Sequence, residues 1–132
     1  MSNVLGFDYG TAKIGVAIGQ TLINTARPLK TLRAVQQKPD WNAIGRLIEE
    51  WQPEALIVGV PFNMDDSEAE VAPRAKRFAR QLEGRYHLPV FLVDERLTSR
   101  MAKTELGRAP KKIEELDAIA AKLILETWLS ER

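Results

Sequence analysis

Val4-Leu5-Gly6-Phe7-Asp8-Tyr9-Gly10-Thr11 is a short, almost continuously apolar run, the pattern of a strand buried on both faces. One carboxylate, Asp8, interrupts it just before Gly10. An ionised side chain there loses much of its solvation unless it is paired, hydrogen-bonded or bound to a cation. A turn that Asp8 starts and Gly10 completes accounts for the residue equally well on this stretch alone.

Ile14 to Gly19 reads as a second strand, joined through the turn 10–13, and Thr25 to Ala34 as a third. Pro28 marks that third strand as an edge or a bulge. Three consecutive strands predict an antiparallel meander, whereas a Rossmann domain would place a helix after its first strand. Asp40 is a candidate N-cap for a helix whose apolar positions Trp41, Ile44, Leu47, Ile48 and Trp51 recur at helical spacing. Ala55 to Val60 is a buried strand, followed by a loop from Pro61 to Ser67. A second helix runs to Tyr86, with its regular part beginning near Pro73. Pro89 to Val93 forms a fifth strand, ending in Asp94-Glu95-Arg96. A short helix over Thr98–Leu106, a basic linker over Arg108–Ile113 and a last helix over Glu114–Leu129 complete the chain. The order predicts one α/β domain over residues 1–132: a five-stranded mixed sheet, strands one to three antiparallel and strands four and five parallel to the first, flanked by helices.

The 132 residues suffice for one full core and are too few for two ordinary domains. An apolar fraction of 45% and a charged fraction of 28% are those of a globular protein. With no cysteine and one histidine, His87, thiolate and multi-histidine metal sites are excluded. A metal would be held by oxygen, which favours Mg²⁺ or Mn²⁺. No signal peptide or membrane-spanning run is visible, so a cytoplasmic location is expected. The net charge of +1 requires a nucleic-acid binder to concentrate its basic residues locally.

Asp94, Glu95 and Asp117 bear on Asp8. Asp94 and Glu95 close the fifth strand, and alternation puts one of them on Asp8's side of the sheet. Asp117 lies on the helical stripe of Ala121, Ile124 and Trp128, which should face the core. Glu114 and Glu115 are explained by the helix dipole, but that does not require Asp117 to occupy the apolar face. Open α/β sheets place their sites at the C-terminal ends of strands, and acids converging there repel one another unless cations intervene. Two divalent ions roughly 3.5–4 Å apart can activate water and stabilise the leaving oxygen in phosphodiester hydrolysis.

Four segments resemble the ordered motifs of the YqgF proteins, also called the RuvX family of Holliday-junction-resolvase-like proteins. They are Phe7-Asp8-Tyr9-Gly10-Thr11-Ala12-Lys13-Ile14-Gly15-Val16-Ala17, Val58-Gly59-Val60-Pro61-Phe62-Asn63-Met64-Asp65, Asp94-Glu95-Arg96-Leu97-Thr98-Ser99 and Asp117-Ala118-Ile119-Ala120-Ala121. The resemblance spans nearly the whole chain. It implies an RNase H-like fold and a metal-dependent nuclease whose catalytic, metal-holding acids are Asp8, Glu95 and Asp117. It also implies a role in maturing the 5′ end of precursor 16S ribosomal RNA, part of ribosome biogenesis, with resolution of branched DNA as an alternative. Asp66 stands where glycine usually follows Asn-Met-Asp, and Ala118 replaces the serine common after the last aspartate.

Substrate contacts are expected from Gly10, Thr11 and Lys13 of the first motif, Asn63 and Asp65 of the second, Arg96 of the third, and the basic cluster Arg108, Lys111 and Lys112. Arg74, Lys76, Arg77 and Arg80 read as a solvated helix face. Trp41, Trp51 and Trp128 read as core aromatics, and His87 as a surface or turn residue. Partners are structured RNA foremost and branched DNA second, with no membrane and a monomeric or homodimeric state. Two other readings compete. Asp-x-Gly-Thr also resembles the phosphate loop of actin-like ATPases, which need a second lobe; a non-catalytic binding module would not need all three acids.

Overall fold

Alternation of side chains along the first strand feeds two core clusters, one on each face of a sheet flanked by helices. A computed structural model describes residues 2–60, 71–94 and 113–131, apart from the side chains of 113–115. Its strands are β1 (Asn3–Tyr9), β2 (Lys13–Gln20), β3 (Thr25–Arg33), β4 (Ala55–Val60) and β5 (Val90–Asp94). The helices are α1 (Trp41–Trp51), α2 (Ala72–Tyr86) and α3 (Ile113–Ser130). The sheet order is β3-β2-β1-β4-β5, with β1–β2 and β2–β3 antiparallel and β1–β4 and β4–β5 parallel. This is the five-stranded mixed sheet expected from the sequence. Boundaries shift slightly: β3 stops at Arg33, β5 reaches Asp94, and α3 starts at Ile113.

On β1, Leu5 and Phe7 face α1 and α2, where they join Ile44, Leu47, Phe78 and Leu82 in one buried cluster. Val4 faces the other way, packing with Ala17, Ile57, Val93, Ala121, Ile124 and Leu125 under α3. The second cluster is the thinner one, because Gly6 and Gly15 occupy the sheet positions on which α3 lies. A Cβ on Gly6 would sit 2.5 Å from Leu125 Cγ and 3.1 Å from the Ala121 carbonyl oxygen. Glycine here permits close approach of helix to sheet rather than an unusual backbone angle.

Local signals set the element ends. Asp40 caps α1, its Oδ1 accepting from the Ala43 N–H at 3.1 Å. Pro73 sits in the first turn of α2. Between Val16 and Ala17 the β2–β3 register skips one residue of β3, Leu29, so Pro28 lies beside a bulge on an edge strand. Gln52 and His87 end α1 and α2 in the left-handed conformation, each donating its backbone N–H to the helix's last turn. The three tryptophans are half-buried: Trp41 stacks on Phe78 at 5.6 Å, Trp51 lies under Arg27, and Trp128 packs against Phe91 at 5.5 Å. No helix among the described residues is long and apolar enough to cross a membrane.

Candidate functional site

Asp8 occupies the penultimate position of β1, directly opposite Gly15 of β2. Cross-strand partners share a face, so Asp8 continues the Val4–Gly6 side toward α3. Asp117, in the second turn of α3, meets this point from above. A Cβ on Gly15 would collide with the Asp117 carbonyl group and come within 2.9 Å of the Ala118 nitrogen. The backbone of Asp117 therefore rests on the glycine that pairs with Asp8. Both aspartates are half-buried, and both make polar contacts. Ala121 and Ile124, which share Asp117's stripe, are 0% and 1% exposed, so the stripe does face the sheet as its spacing predicts.

Ala118 is itself buried, at 5% exposure, in this tight contact. A serine there would bring a hydroxyl into the same packed layer; the methyl group of Ala118 needs no partner.

Alternation on β5 resolves one ambiguity. Val93 packs in the α3 layer, so Asp94 points to the opposite side of the sheet. Glu95 lies outside the described residues, as do Asn63, Asp65, Asp66, Arg96, Arg108, Lys111, Lys112 and the expected helix over Thr98–Leu106. Of the sequence-derived contacts, Gly10, Thr11 and Lys13 are described. Gly10 and Thr11 lie in the β1–β2 connection and Lys13 opens β2, at the same end of the sheet as Asp8; a Cβ on Gly10 would fall 2.7 Å from the Lys13 carbonyl oxygen. Thr11 and Lys13 are half-buried.

Lys13 stands two residues before Gly15 and pairs with Arg33 of β3. Both cations thus belong to the α3 side of the sheet, Lys13 on β2 beside Asp8 and Arg33 one strand further on β3. Arg33 was not singled out from the sequence. In an edge strand its charge is indistinguishable from those that deter edge-to-edge pairing, and only the register after the Leu29 bulge assigns its face.

The donor chemistry fits a hard divalent cation: Asp8 and the Asp117 backbone meet on one sheet face, and the chain's histidine ends α2 in another part of the fold. Among the described residues no three acidic or histidine side chains form a metal-sized cluster. A cavity of about 500 Å³ lined by Trp41, Tyr86 and Leu88 lies between α1 and the end of α2, and neither aspartate borders it.

Comparison with known proteins agrees with this frame. The family model described as "RuvX: Holliday junction resolvase" matches residues 2–131. A protein of Pseudomonas paraeruginosa named "Putative pre-16S rRNA nuclease" is 51% identical, over 97% of this chain and 92% of its own length. An Azotobacter vinelandii protein of the same name is 48% identical, over 98% and 94%. Among solved structures, the fowlpox virus Holliday junction resolvase aligns with a TM-score of 0.61 at 13% identity, over 98% of this chain and 99% of its own. RuvC of T. thermophilus in complex with a Holliday junction substrate gives 0.57 at 18% identity, over 100% and 96%. These two likenesses concern the fold, which is the RNase H-like one. A family match across residues 2–131, together with relatives at about half identity over nearly their whole length, makes this chain a member of the RuvX family.

Proposed function

We propose that the chain is a metal-dependent nuclease that hydrolyses phosphodiester bonds in precursor 16S ribosomal RNA, trimming its 5′ end during ribosome biogenesis. The observation that carries the proposal is the seating of Asp117 on Gly15, opposite Asp8. Two aspartates brought to one face at the C-terminal end of β1 are the hard oxygen donors that a divalent cation takes. The names of the relatives support ribosomal RNA as the substrate.

In this reading Asp8 is the central ligand, Asp117 the second and Glu95, the next residue after β5, the third. Mg²⁺ or Mn²⁺ ions held by these acids would supply the positive charge that activates water and stabilises the leaving oxygen. The chain's own contribution is orientation: β1 and β2 fix Asp8, and the glycine contact fixes the height of Asp117 above the sheet. Lys13 and Arg33 place positive charge on the same side, where a substrate phosphate would approach the acids. Gly10, Thr11, Asn63, Asp65, Arg96, Arg108, Lys111 and Lys112 are proposed as further substrate contacts. The protein works as one domain in the cytoplasm.

The family description favours one second reading, cleavage of four-way DNA junctions. A side-by-side assay separates them: precursor 16S RNA and a synthetic junction, each with Mg²⁺ or Mn²⁺, using wild type and Asp8→Asn. Cleavage of RNA alone, lost in Asp8→Asn, is the expected result. Cleavage of the junction alone would transfer the proposal to DNA, and activity retained by Asp8→Asn would remove the acids from catalysis.

A further inference from the structure

A groove of about 290 Å³ opens on the other side of the β1 end, lined by Tyr9, Gln37, Lys38, Arg74, Arg77 and Gln81. Among its described lining residues three are cationic and none is acidic. Arg74 and Arg77 project from the start of α2, and Lys38 comes from the connection between β3 and α1. That connection is unusual. Gln36 and Gln37 both adopt positive φ, 51° and 64°, inside a turn closed by reciprocal Val35–Lys38 backbone hydrogen bonds of 3.1 and 2.9 Å. Such a turn ordinarily uses Asn or Gly at its centre, so two glutamines there are strained. The strained turn puts the Gln37 side chain on Arg74, which donates to its Oε1 at 3.3 Å, and sets Lys38 at the groove.

Position gives the groove its meaning. Tyr9 follows Asp8 directly and points to the opposite face, where its ring packs 5.1 Å from that of Phe78. The groove and the two aspartates therefore flank one strand end, on opposite faces of the sheet. We propose that this groove is a phosphate-binding subsite, which holds the phosphodiester backbone of the substrate on the flank of the bond cut at Asp8 and Asp117. The inference rests on the nuclease reading above and assigns a function to Arg74 and Arg77, whose spacing by itself reads as a solvated face.

The test is binding in EDTA, without turnover, of a fluorescein-labelled precursor 16S RNA fragment, followed by anisotropy across salt concentrations. Lys38→Ala/Arg77→Ala removes two groove cations and spares the Arg74–Gln37 contact. Lys30→Ala/Arg46→Ala, at two exposed cations outside the groove, removes equal charge as the control. The groove variant is expected to bind more weakly than the control, with a salt slope lower by about 2. From 50 to 200 mM salt the wild type would then lose about tenfold more affinity than the groove variant. Lys38→Arg/Arg77→Lys should restore the slope, and inorganic phosphate should compete with the wild type more than with the groove variant. Equal slopes for the groove and control variants, with the wild type still binding and cleaving RNA, would overturn the subsite and leave the nuclease reading standing. A wild type that neither binds nor cleaves RNA would overturn both.

Discussion

Replacing Gly15 with alanine adds one methyl group at the point where α3 touches the sheet. Ordinary contacts of a Cβ lie at 3.4–4 Å, whereas this one would fall on the Asp117 carbonyl group and within 2.9 Å of the Ala118 nitrogen. The obstacle is helix backbone, which cannot rotate aside as a side chain can, so the start of α3 must lift away from β2. Overpacking of this kind costs about 1–3 kcal/mol. At roughly 4 °C per kcal/mol for a domain of this size, Tm should fall by about 4–12 °C. The same movement carries Asp117 away from Asp8, and a misplacement of that order in a catalytic group costs about 100-fold in rate. Gly84→Ala is the contrast, because its added Cβ meets nothing within 4 Å. In a helix it should raise stability by about 0.5–1 kcal/mol. The assays are thermal unfolding and RNA cleavage on both variants. A Gly15→Ala protein with wild-type Tm and wild-type cleavage would refute the claim that this glycine sets the height of Asp117.

Other outcomes follow from single residues. His87→Gly should gain up to about 1 kcal/mol in denaturant unfolding, because His87 holds φ at 56° at the end of α2 and glycine carries no left-handed penalty. Tyr86 donates from its hydroxyl to the Trp41 carbonyl at 3.4 Å, and burial raises its pKa above the ordinary 10.0, partly offset by the neighbouring Arg85 guanidinium. A raised pKa for an acid that is neutral when folded means full stability below pH 10 and a loss as pH climbs from 10 through the folded value. Stability measured from pH 8 to 11 should therefore fall less steeply in Tyr86→Phe; identical slopes would contradict the assignment.

The sheet was legible because its signals were strong and local. The apolar runs of β1 and β4, the Gly10 turn and Pro28 specify both the meander and the order of elements. Asp117 was legible for a different reason, a charge on a stripe whose other members, Ala121 and Ile124, had to be buried. Gly15 was not: as one small residue in a strand it shows no sign of the helix that lands on it, which arrives from about a hundred residues away in the chain. The turn at Gln36-Gln37 was equally opaque, since glutamine is no marker of positive φ. Arg33 and Lys38 look like ordinary surface charge until register and the path of the turn assign them a face.

In the proposed nuclease, Asp8 and Asp117 hold a divalent cation between β1 and α3. Calorimetric titration of Mn²⁺ into wild type, Asp8→Asn and Asp117→Asn tests it most directly, with thermal unfolding as the control for folding. Saturable binding by the wild type, lost in both variants while they still unfold cooperatively, is the expected result. Undiminished Mn²⁺ binding by folded Asp8→Asn would contradict it.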